Sequence, residues 1–155
     1  MEQFAWLITA VIAWVIFFML IDWSRLKYTI WGGFIVSGIQ LLTDIIGHNL
    51  NLYHTEENAL IVILKSPIFF TFGIVFVIGV LIAQNLPNSR LLQFINILVL
   101  TSLFALEELL FTKIGVLRYE QNYIWVYSVL HSILVFSAIT WIVEALSLNR
   151  LIKRF

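Results

Sequence analysis

Five apolar stretches, each long enough to approach the thickness of a bilayer, constrain this chain more than any other feature. They cover residues 4–21, 30–46, 59–83, 91–110 and 123–146. About 20 mostly apolar residues cross about 30 Å of hydrocarbon as a helix. The first stretch has no charge. The second is interrupted by Gln40 and Asp44, the third by Lys65, the fourth by Glu107 and Glu108, and the fifth by His131 and Glu144. The expected fold is an all-α, polytopic transmembrane bundle of five spans, with residues 1–155 as one integral membrane domain. The lipid bilayer is then its first partner.

Composition agrees. Hydrophobic residues make up 61% of the chain and charged ones 12%, against about 25% charged in soluble domains. Nine basic and nine acidic residues cancel, so no field exists to draw in a nucleic acid. The absence of cysteine excludes a disulfide scaffold, a zinc–thiolate site and a thiol nucleophile. The first stretch lacks a positive n-region and a small-x-small cleavage site, so it reads as a retained helix rather than a signal peptide.

Lys and Arg in the short connections set the orientation. Arg25, Lys27, Arg90, Arg150, Lys153 and Arg154 fall on one side; Lys113 and Arg118 fall on the other, with Lys65 just inside a helix there. The N-terminus is therefore expected outside and the C-terminus in the cytoplasm. Trp23, Tyr28, Trp31 and Trp141 mark the inner interface. Tyr53, Tyr119, Tyr123 and Trp125 mark the outer one, because such rings favour the headgroup zone.

A shift of 64 residues aligns spans two and three with spans four and five without a gap. It places Asp44 on Glu108, Glu56 on Glu120, Asn58 on Asn122 and Phe72 on Phe136. Two helix pairs running in the same direction would form a parallel repeat about the membrane normal, as in some transporters.

The polar residues inside the spans are the candidate site. A charge at mid-bilayer costs at least about 2.5–3.5 kcal/mol, so each asks for a partner. Ser37, Gln40, Asp44 and His48 share one helix face, as do Ser128, His131 and Ser132. From its spacing, His131 lies about 12 Å below the outer interface and Lys65 about 9 Å deep. Asp44, Lys65, Glu107, Glu108 and His131 are therefore expected to converge in the outer half of the bundle. Such a cluster serves as a proton relay, an ion site or an acid catalyst, or else fixes helix register with Lys65 neutralising one carboxylate. Asp44 and Glu108 lead the functional reading. No metal-binding helical spacing is present, so no metal and no cofactor are expected. His48 and His54, near Glu56 and Glu57, offer only a weak divalent-cation alternative. Pro67 either kinks span three or marks its first turn.

Two resemblances bear on function. Asp22-Trp23-Ser24-Arg25, Thr43-Asp44-Ile45-Ile46-Gly47 and Tyr53 in one half, with Glu108-Leu109-Leu110-Phe111, Lys113-Ile114-Gly115, Tyr119, Asn122 and Ser128 in the other, resemble an uncharacterised family of small multi-pass membrane proteins from spore-forming Gram-positive bacteria. That resemblance implies a five-helix bundle in a bacterial plasma membrane and carries no activity. Leu106-Glu107-Glu108-Leu109 is more faintly similar to the Pro-x-Glu-Glu motif of heterodimeric-type lycopene cyclases, without the proline. That similarity implies an acid in an apolar, aromatic site.

No catalytic motif is identifiable. The leading expectation is a structural or accessory component of a bacterial membrane system, with a homo-oligomer or a membrane protein as partner. The alternatives are a small ion-coupled transporter using the buried acids, and an intramembrane isoprenoid or lipid enzyme.

Overall fold

The computed structural model describes residues 4–54, 59–120 and 124–146. Five α-helices carry the fold: α1 (Ala5–Leu20), α2 (Leu26–Asn49), α3 (Phe76–Asn85), α4 (Arg90–Lys113) and α5 (Trp125–Ala145). A π-helical segment, Phe69–Val75, runs directly into α3. Three helices, α2, α4 and α5, are long and apolar enough to cross a membrane; α1 and the continuous helix Phe69–Asn85 are shorter.

The third apolar stretch departs from expectation. Its first part is a hairpin, not helix: β2 (Val62–Ile63) pairs antiparallel with β3 (Ser66–Pro67). The turn between them, Leu64 and Lys65, has φ of 50° and 67°, the paired left-handed conformations of a tight two-residue hairpin. Pro67 has no N–H to donate and so suits a strand before a helix better than a helix interior. The two-way reading of Pro67 resolves toward the helix start.

Helices α2 and α3 cross at close range because their contact is built from small residues. A Cβ added to Gly32 would lie 2.6 Å from the Gly79 carbonyl oxygen and 2.6 Å from the Ala83 Cβ. Gly33 is as tightly opposed by Val80 and Phe76. Gly79 and Ala83 form a small-xxx-small pair, which lets helix backbones approach. Val36, Ile82, Ala83, Phe136, Ile139 and Val143 pack into a core beside this crossing that also engages α5. A second cluster joins Phe17 of α1 to Phe76, Val77 and Val80.

Polar ties close one end of the bundle. Gln84 Nε2 donates to the Leu20 carbonyl at 3.1 Å, and Gln84 Oε1 accepts from the Asp22 N–H at 2.9 Å. At the same end Arg90 meets Glu144 at 2.6 Å. At the other end β1 (Tyr53–His54) pairs antiparallel with β4 (Arg118–Tyr119), with Tyr53 opposite Tyr119.

The 64-residue shift has a backbone counterpart. Helices α2 and α4 are both 24 residues long and begin 64 apart. Their C-caps, Leu50 (φ −87°, ψ 1°) and Ile114 (φ −90°, ψ 3°), coincide in conformation. The next residues, Asn51 and Gly115, both have positive φ. The N–H of Leu52 reaches Gly47 O and that of Val116 reaches Phe111 O, both at 2.9 Å. This bond pattern satisfies terminal carbonyls that the helix leaves open. Glu56, Asn58 and Asn122 of the repeat lie outside the described residues, as do Glu57, Tyr123, Arg150, Lys153 and Arg154.

Candidate functional site

Residue Asp44, in the last two turns of α2, is 2% exposed. Its Oδ1 accepts from Gln40 Nε2 at 2.9 Å and from the Tyr53 hydroxyl at 2.9 Å. The 3.6-residue period puts Gln40 one turn below Asp44 on the same face. The chain then turns through Asn51, and β1 returns Tyr53 against α2. Gly47 makes room: a Cβ there would sit 2.5 Å from the Tyr53 ring.

Its repeat mate is held in the same manner. Glu108 Oε1 accepts from Ser128 Oγ at 2.5 Å and Oε2 from the Tyr119 hydroxyl at 3.3 Å. Ser128 belongs to α5, and the indole N–H of Trp125 donates to the Ala105 carbonyl at 3.2 Å, fixing α5 against α4. Each acid thus receives a tyrosine from the β-strand that follows its own helix, and the two tyrosines face each other across the β1–β4 pair. Hydrogen bonds to an ionised carboxylate are the strong kind.

Between these two acids lies a chamber of about 90 Å³, partly open to the outside of the bundle. Asp44, Glu107, Glu108 and His131 all line it, from α2, α4 and α5. Four of the five expected residues therefore share one space. Lys65 does not join them. It is exposed, at the tip of the β2–β3 turn, so the expected neutralisation of a carboxylate by Lys65 is replaced by hydroxyl and amide donors. No Lys or Arg lines the chamber among the described residues.

The four residues differ in how they are held. Asp44 and Glu108 are engaged by the donors above. Among the described residues, Glu107 and His131 make no hydrogen bond or ion pair. Described residues also offer no group of three side chains placed to hold a metal ion.

The remaining wall is aromatic. Trp6, Phe70, Phe104, Phe111 and Phe136 line the chamber. Trp6 packs edge-on against Phe111, with ring centroids 4.5 Å apart, and lies 5.0 Å from Phe70. Trp6 is 3% exposed, and its Nε1 is buried without an acceptor among the described residues. Phe70 and Val75 come from the π-helical segment. Ser37 Oγ donates to the Thr71 carbonyl of that segment at 3.1 Å, and the Ser66 and Thr71 hydroxyls bond each other. The repeat-equivalent stretch of α5 is regular α-helix. The widened turn is thus confined to one half and breaks the symmetry beside the chamber. Such π segments recur at functional sites.

Sequence reasoning placed Tyr53 and Tyr119 at the membrane interface and did not pair them with the acids. Their recurrence nine and eleven residues after Asp44 and Glu108 was the available signal. Nothing in the sequence around Trp6 marks it.

Comparison with family models, curated proteins and solved structures finds no match to this chain.

Proposed function

We propose that this chain is a multi-pass protein of a bacterial plasma membrane, and that it works as a small ion-coupled carrier whose cargo and protons meet in the acid-lined chamber. The observation that carries this reading is the chamber itself. Three carboxylates and an imidazole face it from three helices, and no basic side chain lines it among the described residues. Intramembrane ionisable groups around a cavity mark ion pathways and proton relays. The recurring backbone of the two halves is an arrangement that carriers use.

Five spans, with the N-terminus outside, remain our reading of the topology. The apolar exterior supports it: Met19, Leu91, Leu134 and Trp141 are among the most exposed of many exposed large apolar side chains. So does the grouping of Asp22, Gln84, Arg90 and Glu144 at one end, next to Arg25 and Lys27. Helix α1 and the helix Phe69–Asn85 have 16 and 17 residues, about 24–26 Å at the helical rise. A bilayer accommodates such short spans by local thinning at modest cost.

A structural or accessory role, with a homo-oligomer or membrane partner, is the second reading. The hydrogen bonds that hold Asp44 and Glu108 favour it, because such networks also fix helix register. An enzyme that encloses a whole isoprenoid chain fits less well, since the chamber, at about 90 Å³, is smaller than a cavity of about 150 Å³ that takes a benzene-sized guest.

The test is proton movement in liposomes containing the purified protein, read by an internal pH dye under an imposed potential. The carrier reading expects a flux that Glu107→Gln reduces at least tenfold and that Gly38→Ala leaves intact. Flux equal to that of empty liposomes, at every pH between 5 and 8, leaves the structural reading in its place.

A further inference from the structure

A second cavity lies on the flank of the bundle, away from the chamber. It is a groove of about 520 Å³ between α1 and the chain that leads into α3. Leu7, Ala10, Val11, Trp14, Val15 and Phe18 form one wall, at the three- and four-residue spacing of a single face of α1. Ile61 and Ile68, which flank the β2–β3 hairpin, form the other wall with Phe69 and Phe72 of the π-helical segment. Two small residues bring the walls together: a Cβ added to Gly73 would lie 2.5 Å from the Ala10 Cβ. The groove opens to the outside of the bundle, where Val11, Val15, Phe18, Ile61 and Phe72 are exposed. No lining residue carries a charge or a hydroxyl.

Shape and chemistry select the occupant. The volume falls within the range, about 300–1,000 Å³, of pockets that enclose organic ligands. From Leu7 to Phe18 the wall runs about 16 Å along α1 at the helical rise. That matches one leaflet, half of a hydrocarbon core about 30 Å thick. A partner helix would need small residues for close approach, or polar ones to bond. The small residues here, Ala10 and Gly73, already engage each other, and the rest of the lining is bulky and apolar. A flexible hydrocarbon chain has neither requirement.

Charge enters at one point. Lys65 is exposed at the tip of the hairpin, without a hydrogen-bond or ion-pair partner among the described residues. The Ile68 N–H donates to the Ile61 carbonyl at 3.0 Å, so the hairpin springs from the wall of the groove itself. Three residues of chain reach at most about 11 Å, which bounds the distance from Ile68 to Lys65. Leu60 to Leu64 are exposed and apolar. A lysine beside such residues lays its stem on them and keeps its ammonium at the headgroups. Asn and Gly best suit a turn with paired positive φ; this chain has Leu64 and Lys65 there instead.

We infer that the groove binds one anionic phospholipid, with an acyl chain along α1 and the phosphate against Lys65. The inference rests on the membrane placement proposed above and is independent of carrier activity.

The test titrates the full chain in detergent with phosphatidylglycerol and phosphatidylcholine of identical acyl chains, read by native mass spectrometry. The first equivalent of phosphatidylglycerol is expected to bind about fivefold tighter, the worth of one lysine at an anionic surface. Lys65→Gln is expected to bring it down to the affinity of phosphatidylcholine. Val11→Trp fills the groove and is expected to weaken both lipids at least about tenfold, because two or more methylenes lose their burial. Ile12→Trp lies on the same helix outside the groove and is expected to leave both unchanged. Val11 and Ile12 are 55% and 53% exposed, so both variants keep the core intact. Equal binding of the two lipids by the unaltered protein overturns the inference. So does a preference that survives Lys65→Gln, or lipid binding that Val11→Trp leaves unaltered. A dimer that Val11→Trp dissociates, with lipid binding untouched, overturns it in favour of a second copy. Release of the chain from cell membranes by alkaline carbonate sinks the membrane reading. A chain that stays in the membrane and shows no lipid preference sinks this inference alone.

Discussion

The hydroxyl of Tyr53 donates to Asp44 Oδ1 at 2.9 Å, across a turn that brings a strand residue back onto the helix it has just left. The bond depends on Gly47, whose missing side chain leaves space for the ring. Gly47→Ala is therefore expected to destabilise the protein by about 1–3 kcal/mol, the usual cost of overpacking. Gly38 lies on the same helix with open space around it. Gly38→Ala is expected to be neutral or to stabilise by up to about 1 kcal/mol through helix propensity. Thermal melts of the two variants in detergent check the pair. Equal melting temperatures contradict the packing argument.

The two tyrosines are not equivalent. Tyr53 and Gln40 both donate to Asp44, which is 2% exposed. Tyr119 reaches Glu108 at 3.3 Å, and Ser128 is closer at 2.5 Å. Tyr53→Phe leaves a buried carboxylate short of a donor and is expected to cost about 1–3 kcal/mol. Tyr119→Phe is expected to cost less than 1 kcal/mol, because its bond is long. A double-mutant cycle of Tyr53→Phe with Asp44→Asn should give a coupling of at least about 0.5 kcal/mol. A cycle with no coupling places the two side chains apart in solution.

The matched helix ends make an asymmetric prediction. Asn51 and Gly115 occupy the same left-handed position 64 residues apart, with φ of 50° and 78°. That conformation costs most side chains about 1–2 kcal/mol, and asparagine tolerates it better than most. Gly115→Val is expected to lower stability by at least about 1 kcal/mol, whereas Asn51→Gly should be neutral or mildly stabilising. Urea or thermal unfolding of the two variants decides it; a neutral Gly115→Val contradicts the shared cap.

Acid should loosen the α1–α2 connection. The Ser24 hydroxyl donates to Asp22 Oδ1 at 2.6 Å and the Ser24 N–H at 3.0 Å. These bonds, the hydroxyl first, with the charge of Arg25, hold the Asp22 carboxyl below the usual aspartate range. A carboxyl whose pKa is depressed by folding stabilises the fold above its unfolded pKa. That contribution fades as the pH falls toward and through the folded value. Asp22 is fully exposed, so the effect is small. Ser24→Ala is expected to melt slightly lower than the unaltered protein at pH 7, with the difference shrinking as the pH falls below the usual aspartate range. A difference that grows on acidification reverses the sign and rejects the argument.

The helices were legible because hydrophobic length is a local property. Each of the α-helices falls within or across an apolar stretch seen in the sequence, and the 64-residue shift that aligned Asp44 with Glu108 also aligns the ends of α2 and α4. The hairpin Val62–Pro67 was not legible. Its residues are as apolar as a span, and only Pro67 and the paired positive φ of Leu64 and Lys65 separate it from helix. Lys65 was misplaced for that reason: its depth was counted along a helix that begins later.

Sequence by itself determined the apolar helices, the acids set within them and the correspondence of the two halves, because spacing along one chain fixes which residues share a helix face. Tertiary structure alone decided which of those acids is satisfied. Tyr53 and Tyr119 meet their carboxylates only because β1 pairs with β4. Ser128 meets Glu108 only because α5 packs on α4. Trp6 enters the same chamber from α1, a helix with no charged residue of its own. Hydrogen-bond satisfaction depends on distances between elements remote in sequence. Packing against Phe111, Phe70 and the small residues of α2 and α3 sets those distances, and no local pattern encodes them.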